Sequence, residues 1–240
     1  MLAKYKFLLL LLFPAFLAWW WMRDPVLHIG ADPAPGVLSV ILLHGHGAPA
    51  DDLRGLAIKL VKQTQSTNLC FLVPAGPYAV SMRGRTWQKQ VRASSKEELQ
   101  ILLDEMKSES REIVFKLVRG LKDDGVSPEN IFVGGFSQGA ITSLDVVLDE
   151  GEGAEIGGLI SLSGGARDLD LSPLEDRAAL RAFVSHGTSD RVIGMGKSQI
   201  LVTALEENGH DVTWIEFEGG HQIPNKIIRA LAEFLVESQE

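Results

Sequence analysis

A serine with a glycine two residues to either side, Gly135-Phe136-Ser137-Gln138-Gly139, lies between a short apolar run, Ile131 to Val133, and a helical pattern from Ala140 to Leu148. That spacing at a strand-to-helix junction is a nucleophile elbow, G-x-S-x-G. The turn must be sharp enough to lift the hydroxyl out of the sheet, and residues without side chains allow strand and helix to approach on both flanks. Ser137 then stands at the start of a helix, where the Gln138 backbone N–H and the helix dipole can face a developing oxyanion. A plain Gly-rich connection could hold the same five residues, so the pattern needs partners elsewhere in the chain.

An elbow serine requires an acid and then a histidine, in that order, each just after a strand. Asp190 follows the apolar strand that ends at His186, in Ser185-His186-Gly187-Thr188-Ser189-Asp190. His221 follows the strand that ends at Phe217, in Glu218-Gly219-Gly220-His221. The histidine would take the Ser137 proton and later deliver it to a leaving group; the acid would fix the tautomer and stabilise the imidazolium. Asp168 and Asp170 compete with Asp190 but lie in a loop with no glycine turn. Among the other histidines, His28 precedes the domain, His44 and His46 precede the serine, and His210 belongs to a surface turn. His186 reads as a structural hydrogen-bonding residue. A second oxyanion donor is expected from the turn His44-Gly45-His46-Gly47, with the His46 backbone N–H as the choice. The competing reading of that turn is an ordinary strand exit. Two histidines without a third ligand at fixed spacing make no metal site.

These residues need a sheet to hold them. Val37 to Leu43 is a nearly continuous apolar run, the pattern of a central parallel strand buried on both faces. Asp51 is placed to cap a helix to about Gln65, Leu69 to Val73 forms the next strand, and Pro74 to Gln90 is too irregular for either element. Ser95-Lys96-Glu97-Glu98 is a capping box opening a long amphipathic helix toward Leu121. After the elbow helix come strands at Ile156 to Leu162, Ala182 to His186 and Val212 to Phe217, and helices at Lys197 to Glu207 and Pro224 to Glu237. Strands alternating with helices predict an α/β fold with a doubly wound, mostly parallel sheet and its site at the strand C-terminal ends.

The chain has 240 residues, enough for a single domain of this kind, and a formal charge of -8. Lys4, Lys6 and Arg23 fall in the first 23 residues, where there is no acid; the remainder has 20 basic against 31 acidic residues. Such a balance, with no basic stripe, argues against nucleic acid as a partner and against electrostatic docking on anionic lipid. The single cysteine, Cys70, excludes an intramolecular disulfide and reads as a buried small hydrophobe in Leu69 to Val73. The run Phe7 to Met22 carries no charge and ends in Trp19-Trp20-Trp21, which resembles an interfacial aromatic belt. Residues 1–23 are therefore expected to be a signal or membrane anchor, with the catalytic domain exported or held on the non-cytoplasmic side. Residues 24–36, with three prolines, are expected to be a linker, and 37–240 the domain.

Leu43-His44-Gly45-His46-Gly47, Arg85-Thr86-Trp87, Gly134 to Gly139, Ser185 to Asp190 and Gly219-Gly220-His221 together resemble the phospholipase/carboxylesterase group of α/β-hydrolases, which includes the acyl-protein thioesterases. The resemblance covers about Val37 to Leu235. It implies hydrolysis of carboxylic esters or thioesters by Ser137, His221 and Asp190, with oxyanion donors at His46 and Gln138 and no metal or cofactor. The expected partner is a small-molecule or lipid acyl ester; lysophospholipase and acyl-protein thioesterase are the alternatives, and a non-catalytic binding module the outlier. Three positions depart from the family pattern: His46 replaces a small aliphatic residue, Ala140 a glycine, and Trp87-Gln88-Lys89 a Trp-Phe-Asp-like run. That loop borders the acyl pocket in the family, so Trp87 is expected to contact substrate.

Overall fold

A computed structural model of the chain describes residues 26–166 and 169–239. The signal or anchor segment expected at 1–23 and the competing acid Asp168 lie outside the described residues. In chain order the elements are β1 (Leu27–Gly30), β2 (Leu38–Leu43), α1 (Arg54–Thr64), β3 (Leu69–Val73), β4 (Tyr78–Ala79), β5 (Arg85–Thr86) and α2 (Lys96–Asp123). They continue with β6 (Ile131–Phe136), α3 (Gln138–Val147), β7 (Gly158–Leu162), β8 (Arg181–Gly187), α4 (Gly196–Glu207), β9 (Asp211–Phe217) and α5 (Asn225–Glu237).

Seven strands form one sheet in the order β1-β3-β2-β6-β7-β8-β9. Every neighbouring pair is parallel except β1 with β3. All six residues of β2 are buried, as a strand covered on both faces must be. On one face Val114, Val118 and Leu121 of α2 meet Leu144 and Val147 of α3 and Leu201 and Leu205 of α4. On the other, Leu56 and Leu60 of α1 meet Ile227, Leu231 and Leu235 of α5. The helix positions recur three and four residues apart, which is what a single apolar stripe on each helix requires. Arg111 of α2 ties the elbow helix down: its Nε and Nη2 donate to the two carboxylate oxygens of Asp145 on α3, at 2.8 and 2.9 Å.

The segment expected to be a linker is shorter than 24–36, because Leu27–Gly30 pairs with β3 from Leu27 opposite Val73 to Gly30 opposite Cys70. An antiparallel edge strand of four residues, half-buried on alternate positions, carries too little apolar periodicity to stand out among the prolines. His28 accordingly lies in the sheet rather than before the domain. Asp51 is not the cap of α1: Leu53 holds that position and no side chain caps the helix. Ser95 does cap α2, accepting from the Glu98 N–H at 3.1 Å.

Candidate active site

Ser137 follows directly on β6 and precedes α3, with φ 56° and ψ −120°. Positive φ at a residue bearing a Cβ is strained by about 1–3 kcal/mol, and surrounding packing must hold it. The flanking glycines show how tight that packing is. A Cβ on Gly139 would lie 1.9 Å from the Leu43 carbonyl oxygen, and one on Gly135 would lie 2.3 Å from the same atom. Both values are inside any real contact, so β2 and the start of α3 approach too closely for alanine. The Ser137 N–H is fixed to the Leu162 carbonyl at 2.9 Å. Its side chain makes no hydrogen bond among the described residues.

Asp190 and His221 are brought together. His221 Nδ1 lies 2.6 Å from Asp190 Oδ2, and the Asp190 side chain is wholly buried. Its other oxygen accepts from the backbone N–H groups of Val192 and Ile193 at 2.8 and 3.0 Å. Burial alone would raise the Asp190 pKa, but the hydrogen bond from His221 and those two N–H groups outweigh it and hold the carboxyl below its ordinary value. A carboxylate accepts from Nδ1–H, so in the neutral ring of His221 the acceptor is Nε2. The His221 ring packs on Phe136, the residue before Ser137, with centroids 4.6 Å apart. No hydrogen bond links Ser137 to His221 among the described residues. His186 is buried as expected, with Nε2 against the Ile193 carbonyl and Nδ1 against the Ser198 hydroxyl, each at 2.8 Å. Its Nε2 also lies 3.3 Å from Asp190 Oδ2, which places a second imidazole beside the acid. Asp170 is spent locally, accepting from the Ser172 N–H at 3.0 Å.

The His44-to-Gly47 turn lies against the elbow: a Cβ on Gly45 would sit 3.5 Å from the Ser137 Cβ. The Gly47 N–H is committed to the Arg85 carbonyl at 2.8 Å. Neither the His46 nor the Gln138 backbone N–H donates to an acceptor among the described residues, so both expected donors are available. The Thr86 hydroxyl lies 2.7 Å from Gln138 Oε1 and 2.8 Å from the Gln88 carbonyl, and can donate to only one. Either way its oxygen is left to accept, and His46 Nδ1–H donates to it at 2.9 Å. Gln138 Oε1 also takes the Trp87 N–H at 3.1 Å, and its Nε2 donates to the Gln88 carbonyl at 3.2 Å. The Gln138 side chain therefore pins the 86–88 loop beside the serine, a role its place in the elbow did not announce.

Trp87 is not where the sequence put it. The side chain is fully buried, its indole N–H donating to the His44 carbonyl at 3.0 Å, and Ser110 donates to its carbonyl at 2.6 Å. A large indole with one polar atom is most stable where apolar area is covered and the N–H is met, and the core offers both. The residues after it take the exposed place. Gln88, Lys89 and Gln90 line a cavity of about 510 Å³ with Ser137, His46 and Gln138, and Val192, Ile193 and Lys197 close another side. In the sequence Lys89 stood out only as part of the run that departs from the family and Lys197 only as a helix start; the signal for both was a positive charge in an acidic chain. His210 is also buried, at 7% exposure, rather than in a surface turn. No group of three or more metal-binding side chains occurs among the described residues.

Comparison with known proteins identifies the family. The Phospholipase/Carboxylesterase family matches residues 26–239. The chain belongs to that family of α/β-hydrolases, and with it to the hydrolases of ester bonds. Acyl-protein thioesterase 1 of Eremothecium gossypii is 29% identical over 172 residues, 69% of this chain and 72% of that protein. Acyl-protein thioesterase 1 of Kluyveromyces lactis is 35% identical over 88 residues, only 38% of its length. Carboxylesterase SOBER1 of Arabidopsis thaliana is 29% identical over 118 residues, 47% of this chain and 50% of that protein. Among solved structures, esterase PE8 superposes with a TM-score of 0.71 at 21% identity, over 90% of this chain and 99% of its own. Maize acyl-protein thioesterase 2 gives 0.67 at 18%, over 91% and 100%. At such identities the superpositions speak for the fold. Its β1 edge strand lies within the matched span, which begins at residue 26.

Proposed function

We propose that the chain is a serine carboxylesterase in which Ser137 attacks the ester carbonyl and His221 and Asp190 serve it. The observation that carries this reading is the 2.6 Å contact of His221 Nδ1 with a buried Asp190 carboxylate, on loops leaving the same sheet edge as the elbow. Nε2 of His221 removes the Ser137 proton as Oγ bonds to the acyl carbon. The carbonyl oxygen gains negative charge, met by the N–H groups of His46 and Gln138. When the carbon–oxygen bond to the alcohol breaks, His221 gives the alcohol its proton. Water then repeats the sequence on the acyl-enzyme: His221 takes a proton from it, the acid is released, and Ser137 regains its hydrogen. A fluorophosphonate probe should label the full chain and not Ser137→Ala, whose turnover falls by roughly a million-fold by analogy with other triads. Equal labelling of both would remove the assignment.

The thioesterase names of the relatives favour a thioester as second substrate, and the same steps serve it with a thiol as leaving group. Residues 1–23 are proposed to hold the domain at a membrane, on its non-cytoplasmic side. Supporting this is the register of β1: Leu27 lies opposite Val73, at the C-terminal end of β3 and hence on the sheet edge that bears Ser137. Three residues lie between Met22 and Val26, and the four Cα steps span at most roughly 14 Å, so an anchor would bring the catalytic edge toward lipid. Among the described residues no helix is long and apolar enough to cross a membrane. Intact mass of the membrane fraction decides it, since a mature N-terminus beyond Trp21 eliminates the anchor.

A further inference from the structure

We infer that the cavity beside Ser137 recognises an ester that carries a carboxylate or phosphate group, through Lys89 and Lys197. This inference rests on the esterase reading and names its substrate class. The chain beyond residue 23 is strongly acidic, and such a surface disfavours approach of an anion. Yet none of the eleven residues lining the cavity is acidic and two are lysines. Only Ile141, Val192 and Ile193 among them are aliphatic, too little apolar wall for acyl-chain burial to carry recognition alone.

The placement of Lys197 is the second observation. It occupies the first turn of α4, which contains no acidic residue. A helix N-terminus carries partial positive charge, and a cation there is disfavoured where an acid would be favoured. Departures from local preference concentrate at functional positions, and this one is at a residue that lines the catalytic cavity. No salt bridge involves Lys197 among the described residues. Lys89 stands over the Tyr78 ring, with Nζ 4.7 Å from the centroid. That contact orients the ammonium without neutralising it, leaving its donors for a ligand. The Asp190 carboxylate spends its acceptors on His221 and two backbone N–H groups and forms no ion pair with either lysine among the described residues.

Matched ester pairs test this on the full chain. In one pair the anion is on the acyl side: para-nitrophenyl butanoate against the mono-para-nitrophenyl ester of butanedioic acid. In the other it is on the leaving group: a monoacylglycerol against the lysophosphatidate of the same chain. The anionic member of at least one pair should have the higher kcat/KM, by roughly tenfold for a charge-assisted contact, and the preference should shrink with added salt. Whichever pair shows it identifies the source of the anion. In Lys89→Gln/Lys197→Gln the ratio should fall toward one. Equal rates within both pairs, or a ratio that survives the double substitution, would overturn the inference while leaving the esterase reading intact. If no ester is turned over, the esterase reading fails, and binding decides this one separately. Thermal shift of Ser137→Ala by the monomethyl ester of butanedioic acid should exceed that by methyl butanoate; equal shifts count against the lysines.

Discussion

The two sides of the site are held in different ways. On the acid–histidine side, Asp190 lies three residues beyond the end of β8 and His221 four beyond the end of β9, and the two strands pair in register from Arg181–Asp211 to Gly187–Phe217. Short exits from paired strands leave little freedom, and the Asp190 carboxylate spends both oxygens on neighbours. On the other side, Thr86, Trp87 and Gln88 arrive from a segment of irregular chain and are fixed by bonds to residues about 40 to 50 positions away: His46, His44 and Gln138. The first side is built by strand pairing, with chemistry at its end. The second is built by side chains holding a loop, with specificity at its exposed tip, Gln88 to Gln90.

Catalysis should therefore be most sensitive on the first side. Asp190→Asn keeps an oxygen for the Val192 and Ile193 N–H groups but offers His221 an amide donor where it needs an acceptor. The imidazole then presents the wrong tautomer to Ser137, a change worth roughly 10⁴-fold in kcat for a triad of this type, while the fold is retained. Ester turnover and far-UV circular dichroism measure the two together. A loss below tenfold would mean that His186, 3.3 Å from the same oxygen, or another group does the orienting, and the comparison would need redrawing.

The same division explains how much could be read beforehand. Apolar runs announced β2, β3 and β6 to β8, interrupted apolar spacing announced β9, and glycine spacing announced the elbow, because these follow from steric demands local to the chain. The order serine, acid, histidine placed Asp190 and His221 for the same reason. Trp87 was misplaced because what decides its position is the His44 carbonyl, 43 residues earlier, and the Ser110 hydroxyl, 23 residues later, neither of which leaves a local trace. Gln138 was read as a backbone donor only, since its side-chain partners also lie at long range. β1 was hidden by its brevity and by the prolines on either side of it, and by pairing antiparallel to a strand some forty residues on.

Trp87→Phe sharpens the second side. The aromatic volume largely remains, but the buried His44 carbonyl loses its indole donor, costing about 1–3 kcal/mol. For a chain of this size each kcal/mol lowers Tm by roughly 2–4 °C. The expected result is a Tm lowered by several degrees, with KM for short esters changed less than by substitutions at Gln88 or Lys89. A KM effect without a Tm effect would restore Trp87 as a substrate contact.

The smallest effect concerns the far end of the first side. His210 directly precedes β9, and its ring spans to β8: Nδ1 accepts from the Leu180 N–H at 3.3 Å, and Nε2–H donates to the Leu174 carbonyl at 3.1 Å. It thus closes the starts of the two strands whose ends deliver Asp190 and His221. The bond from the Leu180 N–H needs an unprotonated Nδ1 and so the neutral ring, and burial, with Arg177 adding to it, pushes the His210 pKa down against the opposing bond to Leu174. The unfolded chain takes up a proton near the ordinary value of 6.5, while the folded chain resists it. Stability from this group is therefore complete above that pH and declines below it, until the folded site itself titrates. Wild-type Tm should fall as pH drops below about 6.5, and His210→Asn, which does not titrate, should fall less steeply from a lower starting point. Parallel slopes would show that protonation at His210 does not loosen the β8–β9 pair, and that the acid–histidine geometry owes nothing to this brace.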